Sequence, residues 1–128
     1  MRSVFYGTLF TILVACSGAG QAENKLDGQA LFCVSDPKFQ SRHLIYGFVF
    51  ENGEISRHVI NGYSKVVEYT FKYVLRGTNE VAWYSGYWRK LDRETLKHQG
   101  DQCYISSKKE IFQTLDEAIS LAKNENKI

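Results

Sequence analysis

Residues 68–96 read EYTFKYVLRGTNEVAWYSGYWRKLDRETL, and this stretch decides the fold. In its first half Tyr69, Phe71, Tyr73 and Leu75 alternate with Thr70, Lys72, Val74 and Arg76. Successive side chains of a strand point to opposite faces, so a period of two over aromatic and β-branched residues predicts a strand with one buried face. Gly77, Thr78 and Asn79 supply a turn, because Gly and Asn tolerate positive φ. Glu80 to Leu91 then reads as a second strand, carrying both tryptophans and two tyrosines. The pair predicts a central antiparallel hairpin whose aromatic face nucleates the core.

Alternation along that second strand puts Trp83 and Tyr87 on one face, Tyr84 and Trp88 on the other. One set fills the core. The other must be covered by a helix, a partner or a ligand. Tyr84, Tyr87 and Trp88 are therefore the candidate ligand or partner surface.

Upstream, Gln29 to Val34 (QALFCV) reads as a short first strand, ended by Ser35-Asp36-Pro37. Leu44 to Phe50 (LIYGFVF) is a second, apolar enough to be buried on both faces. Asn52-Gly53 follows, the dipeptide of a type I′ hairpin turn, which needs positive φ at both central positions. Glu54 to Ile60 is the next strand, with Ile55, Arg57 and Val59 on one face and Ser56, His58 and Ile60 on the other. Asn61-Gly62 marks another turn and Tyr63 to Val67 a connection. Downstream, Leu91 to Leu96 reads as a strand end, a tight turn and the start of a return strand. Gly100-Asp101 is a break, and Gln102 to Ile105 carries Cys103.

The chain closes in another period. Ser107-Lys108-Lys109-Glu110 fits a capping box, and Ile111, Leu115, Ala118, Ile119 and Ala122 recur at helical spacing. This predicts one amphipathic helix over about 107–123, laid on a sheet face. The expected fold is α+β: a curved, barrel-like antiparallel β-meander of five to six strands with a C-terminal helix packed on it.

The N-terminal residues 1–22 read as a signal peptide. Arg2 precedes an apolar run from Val4 to Ala15, and Gly20-Gln21-Ala22 offers a cleavage site ahead of Glu23. An alternative reading ends the signal at residue 15. Leu13-Val14-Ala15-Cys16 resembles the lipobox of bacterial lipoproteins, which implies a lipidated Cys16 as the mature N-terminus and membrane attachment through that anchor alone. On the first reading, removing 22 of the 128 residues leaves 106, residues 23–128, a single small β-rich domain with enough chain for one modest core. Either reading removes Cys16 from the cysteine count and leaves Cys33 and Cys103, a pair that bonds in an oxidising compartment. The expected location is periplasmic or secreted, or the outer membrane if Cys16 is lipidated.

Lys and Arg number 16 against 14 Asp and Glu. Signal removal takes only Arg2, so the balance moves from +2 to +1 with signs interspersed, which recruits no nucleic acid. The cluster Arg89, Lys90, Arg93, Lys97 reads as a solvated strand end. His43, His58 and His98 lie in no metal-ligand or catalytic spacing, and glycine-rich phosphate loops and nucleophile elbows are absent. The expectation is no catalytic residue, no metal and no cofactor. In size, export and single-disulfide β-meander the chain resembles small envelope proteins such as periplasmic lysozyme inhibitors, without their motifs.

Three function classes follow. The first is a non-catalytic binding or envelope-associated module, its partner an envelope protein or a small ligand. The second is an inhibitor of a secreted enzyme, using a protruding loop at Asp36 to His43 or Tyr63 to Val67. The third is a small hydrolase, which would gather His43 or His58 with a carboxylate in a cleft.

Overall fold

The computed structural model describes residues 26–36, 38 and 43–125, and every structural statement below concerns these. The elements are β1 (Ala30–Val34), β2 (Ile45–Glu51), β3 (Glu54–Asn61), β4 (Ser64–Arg76), β5 (Glu80–Tyr84), β6 (Trp88–Asp92), β7 (Lys97–His98), β8 (Asp101–Ser106) and α1 (Lys108–Glu125). All pairings are antiparallel, in the sheet order β6-β5-β4-β3-β2-β1-β8-β7. Strands up to β6 pair with their sequence neighbours, and β8 returns to β1. The sheet thus curls into a nearly closed up-and-down barrel with one seam, between β6 and β7.

His98 bridges that seam. Its ring Nδ1, on β7, lies 2.9 Å from the Lys90 carbonyl on β6. A carbonyl only accepts, so Nδ1 carries the proton and Nε2 is left as a lone pair. The ring is almost fully buried and stacks on Trp83 at 5.3 Å between centroids. Burial holds the His98 pKa down at about 4, so the seam residue is neutral at physiological pH.

The α+β meander with a C-terminal helix is as expected, but with eight strands instead of five to six. The stretch Glu80 to Leu91 is not one strand. It folds back at Ser85-Gly86-Tyr87 into β5 and β6, with the Ser85 N–H donating to the Tyr87 carbonyl at 3.0 Å. Gly86 makes this reversal at φ 95°, where a side chain would be strained. Ser64 to Val67, expected in a connection, is instead the first part of the 13-residue β4. The Asn52-Gly53 turn behaves as expected, with φ of 55° and 75°.

Inward-facing Tyr46, Phe48, Phe50, Ile55, Val81, Trp83 and Leu91 fill the barrel. A fully buried side chain of this size contributes about 1.5–3 kcal/mol from apolar burial. Outside, α1 lays Ile111 and Leu115 over Ala30 and Val49. The close approach depends on Gly47, where a Cβ would meet Ile111 Cγ2 at 2.5 Å. Ser107 caps the helix by accepting the Glu110 N–H at 3.1 Å. The Glu110 carboxylate accepts from the Ser106 hydroxyl at 3.2 Å, so only half of the expected capping box is seen.

Cys33 and Cys103 face each other in the β1–β8 register and are disulfide-bonded, with Cα atoms 3.9 Å apart. The bond fastens the first strand to the last. The signal and lipobox readings, Cys16 among them, fall on residues outside those described.

Candidate binding site

The helix covers the outside of β1 to β4 and leaves the outer wall of β5 and β6 bare. On that wall Tyr84 and Trp88 are register partners, their rings packed edge-on with centroids 5.4 Å apart. They are 53% and 54% exposed. The Arg76 guanidinium lies 4.4 Å from the Trp88 ring centroid and 3.4 Å from the Glu80 carboxylate. Tyr87 stands in the β5–β6 turn, 53% exposed, on neither strand. The three sequence-predicted surface residues therefore cluster at one hairpin, but Trp83 does not share a face with Tyr87: it is wholly buried in the barrel.

Arg89 departs from its reading as a solvated strand end. Its guanidinium sits 4.6 Å from the Tyr87 centroid and 5.2 Å from the Tyr69 centroid, and its Nε donates to Ser85 Oγ at 2.6 Å. No carboxylate among the described residues pairs with it. The hairpin tip thus holds a half-buried cation between two tyrosine rings, at the end of the barrel that β3 and β4 shape with Arg57 and Tyr69.

Inside that end lies a polar cluster. Arg57, on the inward face with Ile55 and Val59, is buried with its guanidinium 4.0 Å from the Tyr46 ring centroid. Its Nε is 3.3 Å from Glu68 Oε1, an ion pair whose angle misses a hydrogen bond, so Nε keeps no hydrogen-bond partner. Glu68 is shared with His43, whose Nε2 is 3.5 Å from Oε2. The Tyr46 hydroxyl donates to Asp101 Oδ2, while Asp101 Oδ1 accepts the Asp36 N–H at 3.2 Å. Burial, and then the bond to Asp101, raise the Tyr46 pKa far above its ordinary value.

Tyr69 stands opposite Arg57 in the β3–β4 register. Burial raises its pKa, opposed by the Arg57 guanidinium, the Trp83 indole and Arg89. Even so, the Tyr69 hydroxyl and Trp83 Nε1 make no hydrogen bond of acceptable geometry. Neither do Ser35 Oγ and His98 Nε2. An unpartnered buried polar group costs roughly 1–3 kcal/mol, so such a concentration calls for a physical account.

The chain matches no family model, no curated protein and no solved structure.

His58 is half-buried against Phe112 at 5.1 Å, its pKa lowered by burial and by Lys108. Asp92 accepts the N–H groups of Glu94 and Thr95 at 2.8 and 2.9 Å, which holds its turn and lowers its pKa. The hairpin tip at Tyr63 leans on the helix, with Lys65 2.9 Å from Asp116 and Lys123 6.0 Å from the Tyr63 ring centroid. Among the described residues no three His, Cys, Asp or Glu side chains gather to hold a metal. None of their helices is long and apolar enough to cross a membrane.

Arg57, Tyr69 and Arg89 are functional candidates that composition and motif did not single out. One signal was present: Arg57 falls in phase with Ile55 and Val59, and a charge in phase with a core stripe marks a buried polar site. The His43–Glu68 contact spans 25 positions and left no signal in spacing.

Proposed function

We propose that the protein is a non-catalytic binding module, exported to the periplasm or beyond, that docks a protein of the cell envelope through Tyr84, Tyr87 and Trp88. The observation that carries this reading is the uncovered Tyr84–Trp88 pair with Arg76 against the Trp88 ring. Trp, Tyr and Arg are the side chains that dominate protein–protein hot spots, because each removes a large apolar area from water while keeping a polar handle. A folded domain with core residues to spare gains nothing from leaving such rings in water. The Cys33–Cys103 disulfide supports an oxidising compartment. Membrane attachment, if present, comes from a lipid on Cys16.

The test is site-specific photo-cross-linking in cells that export the full chain. A photoreactive residue at position 87 should give a discrete protein adduct, while the same probe at Gln113 on the helix gives none. Trp88→Ala should abolish the position-87 adduct without lowering the melting temperature. Equal adducts at both positions, or none at 87, contradict the reading, as does a Trp88→Ala protein that is unstable but still cross-links.

One observation favours a second reading. The His43–Glu68 pair resembles the imidazole–carboxylate arrangement that orients a general base in a hydrolase. Hydrolysis of activated esters by the wild type, lost in His43→Ala, would support it. Of the two loops offered for an enzyme-inhibitor role, the Tyr63 hairpin rests on the helix, and Asp36 to His43 falls mostly on residues outside those described.

A further inference from the structure

We infer that the barrel end beneath the aromatic hairpin is a carboxylate-binding subsite, formed by Arg89, Tyr69, Trp83 and Arg57. The inference rests on the proposed docking role and names what that surface would take in: an acidic side chain or a terminal carboxylate of the partner. Four adjacent strands deliver the four residues. Arg57 faces Tyr69 across β3–β4, and Trp83 faces Arg89 across β5–β6.

Three of these groups hold buried polar atoms without a well-formed hydrogen bond: Arg57 Nε, which keeps only its 3.3 Å ion pair with Glu68, Trp83 Nε1 and the Tyr69 hydroxyl. Trp83 is fully buried and Arg57 is 9% exposed, so bulk water does not serve them. The Tyr69 oxygen could accept from its neighbours, yet neither the indole nor the guanidinium achieves the geometry. The acidic groups nearby are already engaged. Asp101 holds the Tyr46 hydroxyl and the Asp36 N–H, and Glu68 is divided between Arg57 and His43. Apart from the Nε2 lone pair of His98, the poorly served groups among Arg57, Trp83 and Tyr69 all carry donors, and a guest that answers them is an anionic acceptor.

Arg89 makes that guest reachable. Its Nε is tied to Ser85 Oγ, and its flat guanidinium lies between the Tyr69 and Tyr87 rings with no carboxylate partner among the described residues. A guanidinium whose one edge is fixed and whose other nitrogens lack a carboxylate is preorganised for the bidentate pairing that Arg makes with this group. Tyr87 is exposed at the rim, next to the surface assigned to docking. Contact with two tyrosine rings restrains the guanidinium, so less side-chain freedom is lost when the anion arrives.

Acetate is the probe, standing in for a carboxylate side chain. Two tryptophans give two indole N–H signals in a ¹⁵N-labelled protein, and Trp88→Phe assigns them. Sodium acetate should shift the Trp83 indole and the Arg89 Nε–H signals together and saturably, while sodium chloride at equal ionic strength does not. Arg89→Gln should weaken acetate about tenfold, as expected when a charged bidentate partner is lost, with the Trp83 signal still in its folded position. Tyr69→Phe should weaken it about threefold or more through loss of one hydroxyl donor. A Trp83 signal that ignores acetate, or moves equally with chloride, overturns the subsite. So does a persistent water cross-peak at the Trp83 indole that acetate does not displace, because a resident water would then be the acceptor. The docking reading fails separately: an acetate response with no position-87 adduct leaves the subsite standing and removes the protein partner.

Discussion

The two ends of the barrel solve the same problem in opposite ways. At one end Asp27 holds two polar partners. It accepts the Tyr73 hydroxyl at 2.7 Å and the Gly53 N–H at 3.0 Å, while the Gly28 N–H donates to the Phe50 carbonyl at 2.7 Å. Burial and the Asp27 bond raise the Tyr73 pKa well above its ordinary value. The recess beside them, about 130 Å³, is lined by six apolar side chains, Leu26 and Phe50 among them, with Gln29 and Arg93. At the other end Arg57, Tyr69 and Trp83 keep buried polar atoms without a well-formed hydrogen bond, beneath exposed rings and an Arg89 without a carboxylate among the described residues. Folding alone favours the first arrangement. The second carries a cost that a ligand would offset, and on the proposed reading that ligand docks at the Tyr87 end.

The largest expected effect concerns what the two ends share. The Cys33–Cys103 bond closes a 70-residue separation between the first and last barrel strands. On the chain-entropy model such a link contributes about 4 kcal/mol. Replacing both cysteines by serine should therefore lower the melting temperature by well over ten degrees, read by calorimetry on oxidised protein. A double variant melting within a couple of degrees of wild type would mean that the seam and the sheet hold the barrel without the bond.

A somewhat smaller effect is expected at His98, which bridges the seam and stacks on Trp83 below the polar end. His98→Ala removes a buried ring and should cost about 2–4 kcal/mol, measured by urea unfolding. The same residue sets a pH dependence. The unfolded imidazole titrates near 6.5, the folded one at about 4. As pH falls from about 7 to 4 the unfolded state takes up a proton that the folded state refuses, so stability declines through that window and levels off below it. The slope across pH 4 to 6.5 should be shallower in His98→Ala. An identical slope would assign the titration elsewhere.

Much of the architecture was legible because it repeats local signals. The alternation from Tyr69 to Leu75, Asn52-Gly53 at the β2–β3 turn and Ser107 at the helix cap each act over a few residues, and each behaves in the fold as it reads in the sequence. The parity of Cys33 and Cys103 anticipated the bond between the first and last strands. The β5–β6 split was not legible, because Ser85-Gly86-Tyr87 interrupts an aromatic run whose period can be counted straight through the turn. β7, two residues long, is too short to show any period, which is why His98 at the seam escaped notice. The exposed surface at Tyr84, Tyr87 and Trp88 could be named as a candidate from its rings. The interior half of the site could not, since Arg57, Tyr69, Trp83 and Arg89 meet only through the pairing of four strands.

The contrast between the two ends reduces to two tyrosines on one strand, both inward-facing and both with raised pKa, one partnered and one not. Replacing each by phenylalanine and measuring unfolding free energy in urea, without added carboxylate, compares them directly. Tyr73→Phe strands the Asp27 carboxylate and should cost about 1.5–3 kcal/mol, the range for hydrogen bonds to charged groups. Tyr69→Phe removes a buried hydroxyl that has no partner, so its stability should stay within about 0.5 kcal/mol of wild type or rise. If Tyr69→Phe costs as much as Tyr73→Phe, the Tyr69 hydroxyl is satisfied in the free protein. The Arg57 end would then be as structural as the Asp27 end.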